Sequence, residues 1–239
     1  MAMYQAKAQG RNTFRFYTAA MTARASAFVT MEKDLRLALA QGQFTIDYQP
    51  IVDLDNGRLA GAEALLRWTH PERGAVPPAE FVPIAEDTRL INPIGAWALA
   101  NALDEARDWC TRRTTALPYL AFNVSSRQLL GDFDPAFIHR LLVETGFPPA
   151  HLVFEITESV LLEDDPRVDS SLRAFRALGI GIVVDDFGTG YSALSYLRRM
   201  PVTALKIDGS FVRNIENDEN DANLVESIVA MARALRIGS

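Results

Sequence analysis

The stretch Ile180–Phe211, IGIVVDDFGTGYSALSYLRRMPVTALKIDGSF, decides the fold. Its apolar opening, Ile180–Val184, has the length of a buried strand, and Asp-Asp-Phe-Gly-Thr-Gly after it reads as the loop that ends one. Tyr191–Met200 reads as a helix and Val202–Phe211 as a second strand. Strand, helix, strand in that order is a βαβ unit, whose two strands run parallel. The pattern repeats along the chain. Strand Leu117–Ser125 is followed by helical Phe133–Gly146, and strand His151–Ser159 by helical Pro166–Gly179. Helical Asp221–Ile237 follows the opening stretch. Repeated βα units predict an α/β fold, either an open parallel sheet or a (β/α) barrel.

Upstream, residues 23–41 form a predicted helix with Phe28, Met31 and Leu35 on its apolar side. Gln43–Leu54 alternates as a strand, Asp55-Asn56-Gly57 makes a hairpin turn, and Arg58–Trp68 is the second arm. Residues 1–17 read as the end of a helix, a turn at Gly10–Asn12 and a brief strand, set apart from the rest. This reading yields six strands where a closed barrel needs eight. The expectation is therefore a barrel cut before its last two strands, with open edges prone to intermolecular association.

Composition narrows the function. The chain has 239 residues, 24 basic against 30 acidic, for a net charge of −6, which argues against a general footprint for polymeric nucleic acid. Cys110 is the only cysteine, so there is no disulfide framework and no cysteine-based metal site, as suits a reducing cytoplasm. No apolar run is long enough to span a bilayer. His70, His139 and His151 fall on separate elements without ligand spacing and read as structural.

The informative polar residues sit at or near the C-terminal ends of predicted strands: Glu63, Asn123, Glu155, Asp185 with Asp186, and Lys206 with Asp208. In a barrel those ends converge on one rim, where active sites are built. A single acid at a strand end is more often a cap or turn residue. Recurrence at successive strand ends favours a shared site of hard oxygen ligands, suited to Mg²⁺ or Mn²⁺ rather than zinc. A cation there also explains why Asp185 and Asp186 can be neighbours.

The motifs themselves go further. EALLRW at Glu63–Trp68, DDFGTGYSALSYL from Asp185 and LKIDGSF from Leu205 resemble the EAL domain family, as do YQPIVDL from Tyr48, FNVSSRQL from Phe122 and FEITES from Phe154. The resemblance runs over about residues 26–237. It implies a TIM-like (β/α) barrel and a bacterial phosphodiesterase that linearises cyclic di-GMP to pGpG with two Mg²⁺ or Mn²⁺ ions. Residue by residue it implies that Glu63, Asn123, Glu155, Asp185 and Asp186 hold the metals, Asp186 also holding the attacking water. Lys206 would orient that water, and Glu158 would anchor the loop after Asp186. Gln49, Leu65 and Arg67 would contact the dinucleotide, with Asp208 placed alongside them. The first 22 residues resemble the end of a GGDEF domain, so residues 23–239 are expected to be the EAL domain of a GGDEF–EAL protein. A homodimer is an expected assembly, and the parent protein could be membrane-anchored elsewhere. Two departures stand out: Arg89 replaces a usual glycine, and the family's last two strands, with their glutamate and glutamine, are missing. The competing expectation is a receptor that binds cyclic di-GMP with little or no turnover.

Overall fold

The computed structural model describes residues 19–111, 119–131, 133–162, 165–189 and 197–239. Residues 1–18 of the expected GGDEF remnant and most of the helix expected at 191–200 lie outside these residues, while 19–22 fall in the first described helix. The chain divides into two compact units, one of Met1–Thr45 with Arg67–Leu90 and one of Ile46–Leu66 with Ile91–Ser239.

In the smaller unit, helix α1 (Ala19–Ala40) leads into strand β1 (Phe44–Val52), of which the first two residues belong here. Strand β2 (Leu59–His70) ends in this unit and pairs antiparallel with β3 (Gly74–Val76), and helix α2 (Pro78–Asp87) follows. Trp68, Phe44 and Phe81 form its aromatic centre, with Trp68 and Phe81 edge to face at 5.5 Å. The Trp68 indole N–H donates to Gln43 Oε1, so the one polar atom of that ring is satisfied. His70 accepts backbone N–H groups from Glu72 and Arg73 at Nδ1 and faces Asp34 with Nε2, a structural role. Arg89, just past α2, has φ of 61°, the left-handed region that favours glycine.

The larger unit carries helix α3 (Ile91–Thr111), strand β4 (Tyr119–Asn123), short helix α4 (Ser126–Leu129), α5 (Pro135–Thr145) and strand β5 (Leu152–Thr157). Then come α6 (Glu158–Leu162), α7 (Pro166–Ala177), β6 (Gly181–Phe187), β7 (Ala204–Ile207), α8 (Gly209–Arg213) and α9 (Glu219–Leu235). The strand order is β1-β2-β4-β5-β6-β7, with parallel pairing from β2 through β7. This is the parallel α/β arrangement that the βα repeats predict, of the TIM-like kind that the EAL resemblance implies. Near residue 239, Gly238 bridges parallel to Ala204, with two backbone hydrogen bonds of 2.9 Å.

The register sorts side chains by face. Ala62, Ala64, Leu120, Phe122, Leu152, Phe154, Ile156, Ile182, Val184 and Leu205 share one face and are all buried against the helices. Phe154 meets Phe175 of α7 edge to face at 5.1 Å. The opposite face of the same strands carries Glu63, Asn123, Glu155, Asp185 and Lys206. A strand buried on one side only by apolar residues thus leaves its alternate positions for chemistry.

Three parts of the sequence reading need correction. Residues 78–87 and 91–111 are continuous helices that it did not identify, because Pro78, Pro83, Pro93 and Gly95 resemble loop punctuation in the sequence. Pro78 sits in the first helical turn, where its missing N–H costs nothing. The strand expected over 202–211 stops at Ile207, because the Asp208 side chain accepts the Ser210 N–H and starts α8. Likewise Glu158 and Ser159 open α6 and do not extend β5. Among the described residues, no helix is long and apolar enough to cross a membrane.

Candidate metal centre

Glu63 of β2, Glu155 of β5 and Asp185 of β6 each point a carboxylate oxygen at one place, all within 4.8 Å of one another. Lys206 of β7 enters the same cluster. Its Nζ donates to Glu63 Oε2 at 2.8 Å, Glu155 Oε2 at 2.7 Å and Asp185 Oδ2 at 3.4 Å. Asn123 of β4 donates from Nδ2 to Glu63 Oε1 at 2.7 Å, which leaves its amide oxygen available. Four strands and an amide thus converge, and three acids sharing one ammonium are left with a net deficit of positive charge.

Asp185 belongs to this group of three and its neighbour Asp186 does not, and the ladder is irregular at this point. Val184 pairs with Leu205 but Phe187 with Ile207, so β6 has one more residue than β7 between these rungs. That extra residue is a β-bulge, a device that re-aims a side chain at the end of a ladder. Asp186 adopts φ of 53° and its N–H donates to Asp185 Oδ1. A non-glycine residue in the left-handed region is strained, and here the strain lies one residue beyond Asp185 of the acid cluster. The loop after it is held by Glu158, only 5% exposed, whose Oε2 accepts the Gly188 N–H at 3.4 Å.

Burial and charge divide the titrating groups. Glu155 is 3% exposed, and that burial pushes its carboxyl up to about 7 against the pull of Lys206. Burial disfavours the Lys206 ammonium, but its hydrogen bonds to Glu155 and Glu63 outweigh this and hold it above the ordinary lysine range. Lys206 therefore stays charged at neutral pH and acts as a donor. Burial, then Asp185 and Asp208, raise the Asp186 carboxyl, while hydrogen bonds from the Ser210 side chain and backbone lower that of Asp208.

The sign of the Glu155 shift sets a pH dependence. A carboxyl raised from 4.5 to about 7 binds more protons folded than unfolded across that interval. Its contribution to stability is therefore complete below about pH 4.5 and is lost as pH rises through about 7. With chelator present, the melting temperature of Glu155→Gln minus that of the native chain should rise across this window. A difference that is flat or falls between those pH values would remove the basis for a raised Glu155.

The donor set fits a divalent cation of the Mg²⁺ class, since three carboxylates and an amide oxygen are hard ligands. Of the expected contact residues, Gln49 and Leu65 stand on β1 and β2, while Arg67 lies where β2 continues into the smaller unit. The sequence reading passed over Tyr119. Its half-buried phenol is raised by burial and by Glu155, and it shares a face with Asn123 two rungs along β4. A β-carbon on Gly61 would come within 2.9 Å of the Tyr119 ring, so glycine makes room for it. The period-two spacing of Tyr119 and Asn123 was the available signal.

The comparisons agree with this geometry. The family model described as "EAL domain" matches residues 32–239. The chain is 40% identical over 236 residues to the bifunctional diguanylate cyclase/cyclic di-GMP phosphodiesterase MucR of Pseudomonas aeruginosa, spanning 99% of this chain and 34% of that protein. It is 38% identical over 236 residues to the cyclic di-GMP phosphodiesterase PdeR of Escherichia coli K12, spanning 99% of this chain and 35% of that one. It thus spans about a third of the length of these curated relatives. Among solved structures, the PaMucR phosphodiesterase–c-di-GMP complex superposes with a TM-score of 0.81 at 40% identity, over 87% of this chain and 84% of that one. The EAL enzyme Bd1971, in its cAMP- and cyclic-di-GMP-bound form, gives 0.84 at 33% identity, over 90% and 58%. Because the matched residues include every strand that carries the acids, the chain belongs to the EAL domain family.

Proposed function

We propose that this domain is a cyclic di-GMP phosphodiesterase that hydrolyses the cyclic dinucleotide to linear pGpG. The observation that carries the reading is the convergence of Glu63, Glu155 and Asp185 on one place, with Lys206 bonded to all three. In the reaction a water oxygen bonds to one phosphorus and the phosphorus bond to the 3′ oxygen breaks. The products' ends are a 5′-phosphate and a 3′-hydroxyl. Two Mg²⁺ or Mn²⁺ ions, held by Glu63, Asn123, Glu155, Asp185 and Asp186, would supply Lewis acidity at the phosphate and lower the pKa of the water.

The chain's own groups do the rest. Lys206 offers a fixed positive charge to the oxygen that gains negative charge, without cycling through its neutral form. Asp186, its carboxyl raised above the ordinary range by burial and then by Asp185 and Asp208, would hold the attacking water and draw on its proton. Glu158 keeps the Gly188 loop in register with that position. Gln49, Leu65 and Arg67 would bind the dinucleotide, Arg67 as a bidentate phosphate clamp, with Asp208 nearby at the end of β7. The reading is supported by the names of MucR and PdeR and by the cyclic di-GMP bound in the PaMucR structure. Residues 1–22 we read as the end of a fused GGDEF domain and 23–239 as the EAL domain, in a cytoplasmic protein able to form a homodimer.

The test is to supply cyclic di-GMP with Mg²⁺ or Mn²⁺ and follow pGpG by chromatography, with and without excess chelator. Product that forms equally well in chelator would end the two-metal reading, and binding with no product would favour the receptor. Arg67→Ala should weaken dinucleotide binding by roughly 1.5–3 kcal/mol, the range for hydrogen bonds to charged groups, with a smaller change in kcat. Calorimetric titration reads this directly, and unchanged affinity would remove Arg67 from the binding set.

A further inference from the structure

Strand β1 stands at one end of the strand order, paired among the described residues with β2. Pro50, directly after Gln49, removes a backbone donor from it, a feature of edge strands. Its side chains alternate: Ile46 and Tyr48 pack against the buried core, and Gln49 faces the other way, exposed. Ala64 and Leu66 of β2 lie on the core side, so Gln49 shares the side of Glu63. The backbone ladder by itself holds this end of the sheet weakly, and the orientation of Gln49 depends on what fastens its neighbour.

That neighbour is held twice by one helix. The Tyr48 hydroxyl donates to Glu105 Oε2 at 2.7 Å, and the Tyr48 ring meets Trp109 edge to face with centroids 4.7 Å apart at 80°. Glu105 and Trp109 are one turn apart on α3 and so present one surface to β1. Burial and the Glu105 carboxylate push the Tyr48 phenol well above the ordinary tyrosine range, so its proton stays in place as a donor. A charge-assisted hydrogen bond and a ring contact on the same side chain fix both ends of its position.

We propose that Tyr48 and Glu105 are positioning residues for dinucleotide binding: with Trp109 they clasp β1 to α3 and thereby aim Gln49 at the substrate. This rests on the reading of Gln49 given under Proposed function. It predicts an effect on binding without one on the chemical step, because the acids and Lys206 are carried by other strands.

The experiment compares Tyr48→Phe, Glu105→Leu and Glu105→Gln in the full chain. KM and kcat for cyclic di-GMP with Mg²⁺ form one arm, and amide hydrogen exchange over Phe44–Val52 without nucleotide forms the other. Tyr48→Phe and Glu105→Leu should raise KM about fivefold or more, the lower range of coupling between sites, with kcat kept within about twofold. Glu105→Gln, which retains an acceptor oxygen, should restore most of the native KM. Both disruptive variants should speed exchange in β1. An unchanged KM, a kcat that falls as far as KM rises, or a Glu105→Gln as impaired as Glu105→Leu would overturn the clasp. If the native chain does not act on cyclic di-GMP, the Proposed function fails. The exchange arm still decides whether Tyr48 fastens β1, and unaltered exchange in Tyr48→Phe overturns that.

Discussion

Glu63→Ala should leave no measurable pGpG formation while the protein still folds. Both oxygens of Glu63 are in use: Oε1 accepts from Asn123 at 2.7 Å and Oε2 from Lys206 at 2.8 Å. The carboxylate is thus one of three that converge on the cation position and also fixes the amide that could add a further ligand. Groups that merely support a metal ligand cost about 10–100-fold in affinity or activity when removed, so deleting the ligand should exceed the upper end of that range. Folding should survive, because the side chain lies on the face opposite the apolar core and its loss relieves part of the repulsion among the acids. Chromatography of the products, Mn²⁺ titration calorimetry and a thermal melt separate the possibilities. Lost turnover with weakened Mn²⁺ binding and a near-native melt is the expected set. Native turnover in Glu63→Ala would show that the metal centre is elsewhere.

Lys206→Met should abolish turnover and, separately, make stability depend on metal. Glu155 is buried and bonded to Lys206 at 2.7 Å, with Glu63 and Asp185 beside it. Removing one partner of a buried ion pair costs about 3–5 kcal/mol because the other charge is left uncompensated. Lys206 is itself 37% exposed, so solvent screens the cluster and the cost should fall below that range. At about 2–4 °C per kcal/mol for a domain of this size, a melting drop of several degrees in chelator is expected at pH 8. The drop should shrink at pH 5, where Glu155 takes up a proton and no longer needs a counter-charge. Added Mn²⁺ should restore the melting temperature but not the turnover, since a cation can replace the lysine's charge but not its aim at the phosphate. A Lys206→Met chain with the same melt at both pH values, with or without metal, would show that the lysine does not balance these acids.

Much of this was legible in the residues. The βα alternation, the hairpin at Asp55–Gly57 and the placement of Asn123, Glu155, Asp185 and Lys206 near strand ends follow from local periodicity and turn chemistry, which act over a few residues; Glu63, expected near a strand end, stands mid-strand as the fifth of the twelve residues of β2. The helices Pro78–Asp87 and Ile91–Thr111 escaped the same reading, because their prolines and Gly95 resemble loop punctuation. In the structure, burial of Phe81, Ile94, Leu99 and Leu103 overrides that local signal. Asp208-Gly-Ser could have been recognised as a helix start from its capping residue, but the apolar run before it favoured a longer strand.

The sequence by itself determined which chemistry this chain can carry, because carboxylates, an amide and a lysine on successive strands are a matter of residue type and spacing. Tertiary structure alone decided which of them meet. Lys206 reaches Glu63 across 143 positions, Glu155 across 51 and Asp185 across 21, separations over which no local pattern constrains distance. The one-residue bulge between Val184 and Phe187 is likewise invisible in the run VVDDF, since it exists only as a mismatch with β7. So are the burial that lifts Glu155 and the grip of α3 on Tyr48. The physical reason is common to all four. Register, burial and long-range charge are properties of pairs of segments, and a single segment carries no record of its partner until the sheet has formed.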